Sequence, residues 1–210
     1  MIVTLMVLGV VAEGAAWWWI SSRGSSVWGT MTPVLVALGV FALVTGRPEV
    51  TEDVTLAAAA AAGLGAGLAL YLGTRVFVAA IAPRWRSFRA QSTSMYGRRG
   101  AISLGAVLAL STLLMVPGEE LFWRGLFLPE LEGAVDSTIL AAVLAWAAFV
   151  AANLPSRNLA IVMGALVGGA AWVALASWSG GVLAGLLCHA AWTTLMLARP
   201  PLAIPVGEDA

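Results

Sequence analysis

The sequence contains no lysine, one cysteine (Cys188) and one histidine (His189), and only 10% of its 210 residues are charged. A lone cysteine excludes an internal disulfide and any multi-cysteine metal site. Eleven arginines balance eleven acids, so no net field draws a polyanion, and nucleic acid is excluded as a partner. Soluble domains carry about 25% charged residues, far more than this chain has. The basic stretch that opens a cleaved signal peptide is missing too, so the first twenty residues read as a retained span. An all-arginine basic complement amid abundant Ala, Gly and Val fits a GC-rich bacterial genome.

What the chain does have is apolar surface: 60% hydrophobic residues, 23 glycines and a mean hydropathy of +0.93. No ordinary soluble core needs that much, so the expected fold is all-α, a polytopic transmembrane helical bundle whose first partner is the lipid bilayer. About 20 apolar residues cross about 30 Å of hydrocarbon. Runs of that kind lie at 2–20, 27–45, 54–82, 101–131, 137–153, 157–178 and 181–198. This predicts seven spans, or eight if the fourth run folds back on itself. The runs are continuous rather than alternating, which excludes a β-barrel.

Arginine placement orients the spans. Arg84, Arg86, Arg89, Arg98 and Arg99 share one loop, which the positive-inside rule makes cytoplasmic. Seven spans then leave the N-terminus outside and the C-terminus in the cytoplasm, in the cell membrane, with Arg23, Arg157 and Arg199 also inside and Arg47 outside. Trp17, Trp18, Trp19, Trp28, Trp85 and Trp178 fall near span ends, as interfacial anchors should. Three sections follow: N-terminal spans with the Arg-rich loop (1–100), a helical core (101–198) and a flexible tail (199–210).

Ionisable groups in hydrocarbon cost several kcal/mol, roughly, so each needs a reason to be there. Glu13 and Arg75 fall at similar depth and are expected to pair. In the stretch 118–125, Glu120 and Arg124 stand four apart on one helical face and can pair, while Glu119 is turned toward another partner. One paired carboxylate beside a free one can tune a general base. Equally, the cluster can be structural, at a helix break formed by Pro117 and Gly118. Gly181, Gly185, His189 and Thr193 recur every four residues, a small-residue stripe that points His189 and Thr193 into the bundle. The stripes Gly63/Gly67 and Gly164/Gly168 read as helix-packing contacts.

Together these residues resemble the CPBP family of intramembrane proteases, the CAAX prenyl proteases and bacteriocin-processing (Abi-like) enzymes. The family pattern is EExxxR, then FxxxH, then HxxxN or a near variant. Here EExxxR is intact from Glu119 and Glu120 to Arg124, followed by Gly125. The second motif runs from Phe149 to Asn153, with asparagine in place of histidine. The third runs from His189 to Thr193, with threonine in place of asparagine. The resemblance covers roughly 101–198.

The resemblance implies a glutamate-dependent endopeptidase. Glu119 would activate a water, Glu120 and Arg124 would support it, and His189 would stabilise the oxyanion. Asn153 can hold a water but cannot take and return a proton near neutral pH; Thr193 keeps one hydrogen-bond donor. Slow hydrolysis of a peptide or membrane-protein substrate is therefore one expectation, and a catalytically impaired binding, regulatory or immunity protein the other. A small transporter is a lesser alternative. No cofactor is expected, and no metal, because three ligands would require Glu120 to give up Arg124.

A hairpin turning at Asp136 would set Glu119 and Asn153 level. Yet Asn153 lies near a cytoplasmic end, and the run 101–131 would be about 46 Å long. A break at Pro117-Gly118, a tilt, or a start outside the hydrocarbon would reconcile the two.

Overall fold

The computed structural model describes residues 2–97 and 102–202, excepting the side chains of 95–97. All regular structure in them is helical. The helices are α1 (Ile2–Arg23), α2 (Val27–Thr45), α3 (Leu56–Ile81), α4 (Arg86–Gly97), α5 (Leu104–Ala134), α6 (Thr138–Asn153), α7 (Leu159–Ser179) and α8 (Leu183–Ala198). Six are long and apolar enough to cross a bilayer, namely all but α4 and α8, counting with α6 the short turn that extends it to Ser156. With α8, a shorter apolar helix, they match the seven predicted runs. Polar starts are set by side-chain caps from Ser26, Thr55, Ser103, Ser137 and Asn158, each accepting from a backbone N–H of its helix's first turn. Val3, Val44, Val76, Leu113 and Ile139 lie on the outer surface, as lipid-facing side chains must.

The fourth run neither breaks nor folds back. α5 continues through Pro117 and Gly118 for 31 residues. Two π-helical turns, Ser111–Met115 and Trp123–Phe127, relieve it, and each ends two residues before a proline, Pro117 or Pro129. A proline ring clashes with the carbonyl four residues back, and a widened turn there makes room for it. Gly118 is needed for a different reason. A Cβ there would strike the Leu35 carbonyl oxygen of α2, and one on Gly39 would sit 2.6 Å from the Gly118 Cα. The two backbones cross in contact immediately before Glu119.

α6 ends early. Its 16 residues span about 24 Å, and Asn153 at its end lines the same cavity as Glu119, midway along α5, so α6 stops short of the depth at which α5 starts. Gln91 of α4 covers the turn from α6 into α7, accepting from the Leu159 N–H at 2.6 Å and from Asn158 at 3.2 Å through its backbone carbonyl. This resolves the apparent mismatch in depth: α5 begins well beyond the point where α6 stops.

Three expectations are corrected. Glu13 and Arg75 do not pair: Arg75 is exposed and donates to the Tyr71 hydroxyl at 3.0 Å, while Glu13 is fully buried among other partners. Trp28 is no interfacial anchor; it is buried and donates to Ser111 Oγ at 3.0 Å. Trp17 lines an internal cavity, whereas Trp18, Trp19, Trp85 and Trp178 are exposed. Arg98, Arg99 and the tail 203–210 lie outside the described residues.

Candidate active site

EExxxR sits in the middle of α5, where the backbone contact with α2 holds it. Glu120 is fully buried, and its Oε1 accepts from Arg124 at 3.1 Å and lies 2.8 Å from His189 Nδ1. A carboxylate paired with arginine only accepts, so Nδ1 of His189 carries the hydrogen. Arg124 also reaches the Gly169 carbonyl at 3.4 Å, and its guanidinium stands 4.6 Å from the Phe149 ring centre and 5.5 Å from that of Trp172. Two aromatic faces, a carbonyl and a carboxylate thus surround one buried cation.

Glu119, one residue earlier, is rotated away from this pair. Its Oε2 lies 3.8 Å from His189 Nε2, and among the described residues it has no hydrogen-bond partner. His189 stands between the two carboxylates, one at each ring nitrogen, and is clamped by Trp172, whose ring stacks on it at 3.6 Å and 12°. Gly185 lets the α7 backbone and Glu120 come this close: a Cβ there would lie 3.0 Å from the Trp172 carbonyl and 3.2 Å from Glu120 Oε2. Gly168 makes room for the Trp172 ring itself, and Gly164 for Trp192, so that stripe serves side chains of the site rather than a helix crossing. The stripe Gly63/Gly67 does pack helices, α3 against Ala184 and Cys188 of α8.

Glu119, Asn153, His189 and Thr193 line one cavity of about 540 Å³ inside the bundle. The rest of its wall is largely apolar and aromatic, including Phe77, Phe149, Trp172 and Trp192. It runs from Glu119 toward Phe88 and Ser92 of α4, that is, toward the end where the described arginine-bearing connections collect. Glu120 and Arg124 stand behind the wall. The structure therefore brings together four of the six sequence-predicted residues at the cavity and two in support. Among the described residues no group of three or more His, Cys, Asp or Glu side chains is arranged to hold a metal ion.

Asn153 carries a partner that sequence reasoning missed. Its amide nitrogen donates to Glu13 Oε1 at 3.2 Å and to the Phe149 carbonyl at 3.0 Å. Glu13 Oε2 accepts from Trp123 Nε1 at 2.8 Å. Glu13 was visible as a buried acid, but nothing in its spacing relates it to residues 110 and 140 positions away. Trp172 was likewise concealed, since an aromatic residue in an apolar helix has no signature of contact with histidine.

Neither a curated protein nor a solved structure matches the chain. A family model does, that of the Rce1-like type II CAAX prenyl endopeptidases, over residues 101–195. That stretch spans α5 to α8 and includes Glu119, Glu120, Arg124, Asn153, His189 and Thr193. The chain is thus a multi-pass membrane protein whose residues 101–195 match the family model of the Rce1-like type II CAAX prenyl endopeptidases.

Proposed function

We propose that this protein is an intramembrane endopeptidase in which Glu119 activates water. The observation that carries the reading is the contrast between two adjacent carboxylates. Glu120 is engaged by Arg124 and His189, whereas Glu119 faces the cavity 3.8 Å from His189 Nε2 without a hydrogen-bond partner among the described residues.

In the reaction, Glu119 takes one proton from a water as its oxygen bonds to the scissile carbonyl carbon. The carbonyl π pair moves to oxygen, where the Thr193 hydroxyl donates to the oxyanion together with His189 Nε2, the ring entering the reaction as the imidazolium with a hydrogen on each nitrogen and a carboxylate on either side. Collapse breaks the C–N bond, and the proton held by Glu119 passes to the leaving amine. The Glu120–Arg124 pair fixes the His189 ring, so Nε2 alone faces the reacting atoms.

The finer topology belongs to the same proposal: cell membrane, N-terminus outside, C-terminus cytoplasmic. Its support is the gathering of Arg23, Arg84, Arg86, Arg89 and Arg157 at one end, where Ser21 bonds the Pro155 carbonyl and Gln91 bonds Asn158. The cavity extends toward that end, so a peptide substrate enters from the cytoplasmic interface beside α4.

The test is hydrolysis of a peptide panel by the purified chain in liposomes, read by mass spectrometry. Wild type is expected to cleave and Glu119→Gln to be inactive; equal cleavage by both sinks the proposal.

A second reading, a catalytically silent binding or regulatory member, is favoured by one observation. Both amide hydrogens of Asn153 are engaged, and the side chain cannot carry a proton.

A further inference from the structure

Asn153 departs from the motif it resembles, yet its geometry is tightly determined. Its side-chain amide has two hydrogens, and the two groups at hydrogen-bond distance from its nitrogen, Glu13 Oε1 and the Phe149 carbonyl, can only accept. The amide is therefore oriented without ambiguity, and Oδ1 is the atom left for the cavity that Asn153 lines. Phe149 is one turn back on the same helix and would hold the side chain of any asparagine there. Glu13 is different: it comes from α1, outside the matched segment, and is completely buried.

Glu13 is itself immobilised. Its other oxygen takes the Trp123 indole N–H at 2.8 Å, inside the widened turn of α5 that follows Glu119 and Glu120. Gly9, one turn earlier on α1, lets Phe122 press in: a Cβ there would lie 2.6 Å from a ring carbon of Phe122. One carboxylate from α1 thus ties the EExxxR helix to the end of α6.

We propose that Glu13 is a positioning residue of the active site, holding the Asn153 amide so that its carbonyl oxygen accepts from the attacking water. The inference rests on the endopeptidase reading. Glu119 removes one water hydrogen, Asn153 Oδ1 accepts a hydrogen bond from the other, and the lone pair between them is left aimed at the substrate carbonyl. Asn153 keeps its protonation state throughout, so the position orients water without handling a proton.

Glu13→Gln tests this with little change of shape. A glutamine must turn its NH₂ toward either the Trp123 indole or Asn153, both donors. Only the Asn153 amide can answer, by rotating half a turn, which gives up its bond to the Phe149 carbonyl and turns its NH₂ into the cavity. With a peptide cleaved by wild type, kcat is expected to fall about 10- to 100-fold while KM stays within about twofold. The melting temperature in detergent reports folding of each variant. Exchanging the two chemistries, Glu13→Gln with Asn153→Asp, returns an acceptor to the cavity at the cost of the bond to the Phe149 carbonyl, and is expected to recover part of the lost kcat.

Glu13→Gln with wild-type kcat overturns the inference. So does an equal loss in the single and exchanged variants when both melt like wild type, because a merely structural acid would behave that way. The parent reading is read separately in the same assay: if wild type cleaves nothing, or Glu119→Gln cleaves like wild type, the endopeptidase proposal fails and the inference falls with it.

Discussion

One oxygen of Glu120 serves both Arg124 and His189, at 3.1 Å and 2.8 Å. The pair that supports EExxxR internally is thereby the pair that aims the third motif's imidazole. Glu120→Gln keeps an acceptor for His189 Nδ1 but removes the charge opposite Arg124. The expected result is a fall in kcat of about 10²-fold or more, larger than any change in KM. A variant with KM raised and kcat unchanged would mean that Glu120 only helps to bind substrate.

Arg124 is a buried cation whose partners are all fixed, and truncating it leaves Glu120 without its counter-charge. Arg124→Ala is expected to cost about 3–5 kcal/mol of stability, as for breaking other buried pairs from one side. Removing both members, Glu120→Met with Arg124→Met, is expected to cost less than the single change, since no unpaired charge remains. Thermal or denaturant unfolding in detergent measures both. A double variant less stable than Arg124→Ala would contradict the pairing account.

Much of this site is legible in the sequence. Glu120 and Arg124 share a helical face by spacing alone, Glu119 is turned off that face, and the Gly185/His189 stripe does point inward. Polar residues are rare enough in this chain that each one identifies itself. What was not legible is cross-helix identity. Depth in the membrane suggested Arg75 as the partner of Glu13, but depth is only one coordinate, and rotation about α1 points that carboxylate at Trp123 and Asn153 instead. The widened turns of α5 were hidden for a related reason. A proline signals a break, but whether the helix absorbs it depends on neighbours such as α2.

The crossing of α2 and α5 gives a steric prediction. At Gly118 the obstacle to a Cβ is the Leu35 backbone, which no rotamer change can move aside. Gly118→Ala is expected to destabilise by about 1–3 kcal/mol, as overpacked cores do, and to lower activity by displacing Glu119. Gly105→Ala, on the same helix with open space around it, serves as the control and is expected to be neutral or slightly stabilising. Equal shifts in melting temperature for the two variants would refute the backbone contact.

The two departures from the family pattern give the most direct functional test. Asn153→His introduces a group that can take a proton, beside Glu13, which can accept from the new ring as it does from the amide. Thr193→Asn lengthens the donor on the cavity wall four residues after His189. If the native chain is a slow peptidase, the double variant is expected to cleave the same peptides about 10²-fold faster, and Glu119→Gln is expected to abolish cleavage in both backgrounds. If cleavage arises only in the double variant, the native protein is a silent member of the fold that binds without hydrolysing. A double variant that folds and cleaves no better than wild type would mean that neither departure limits the chemistry.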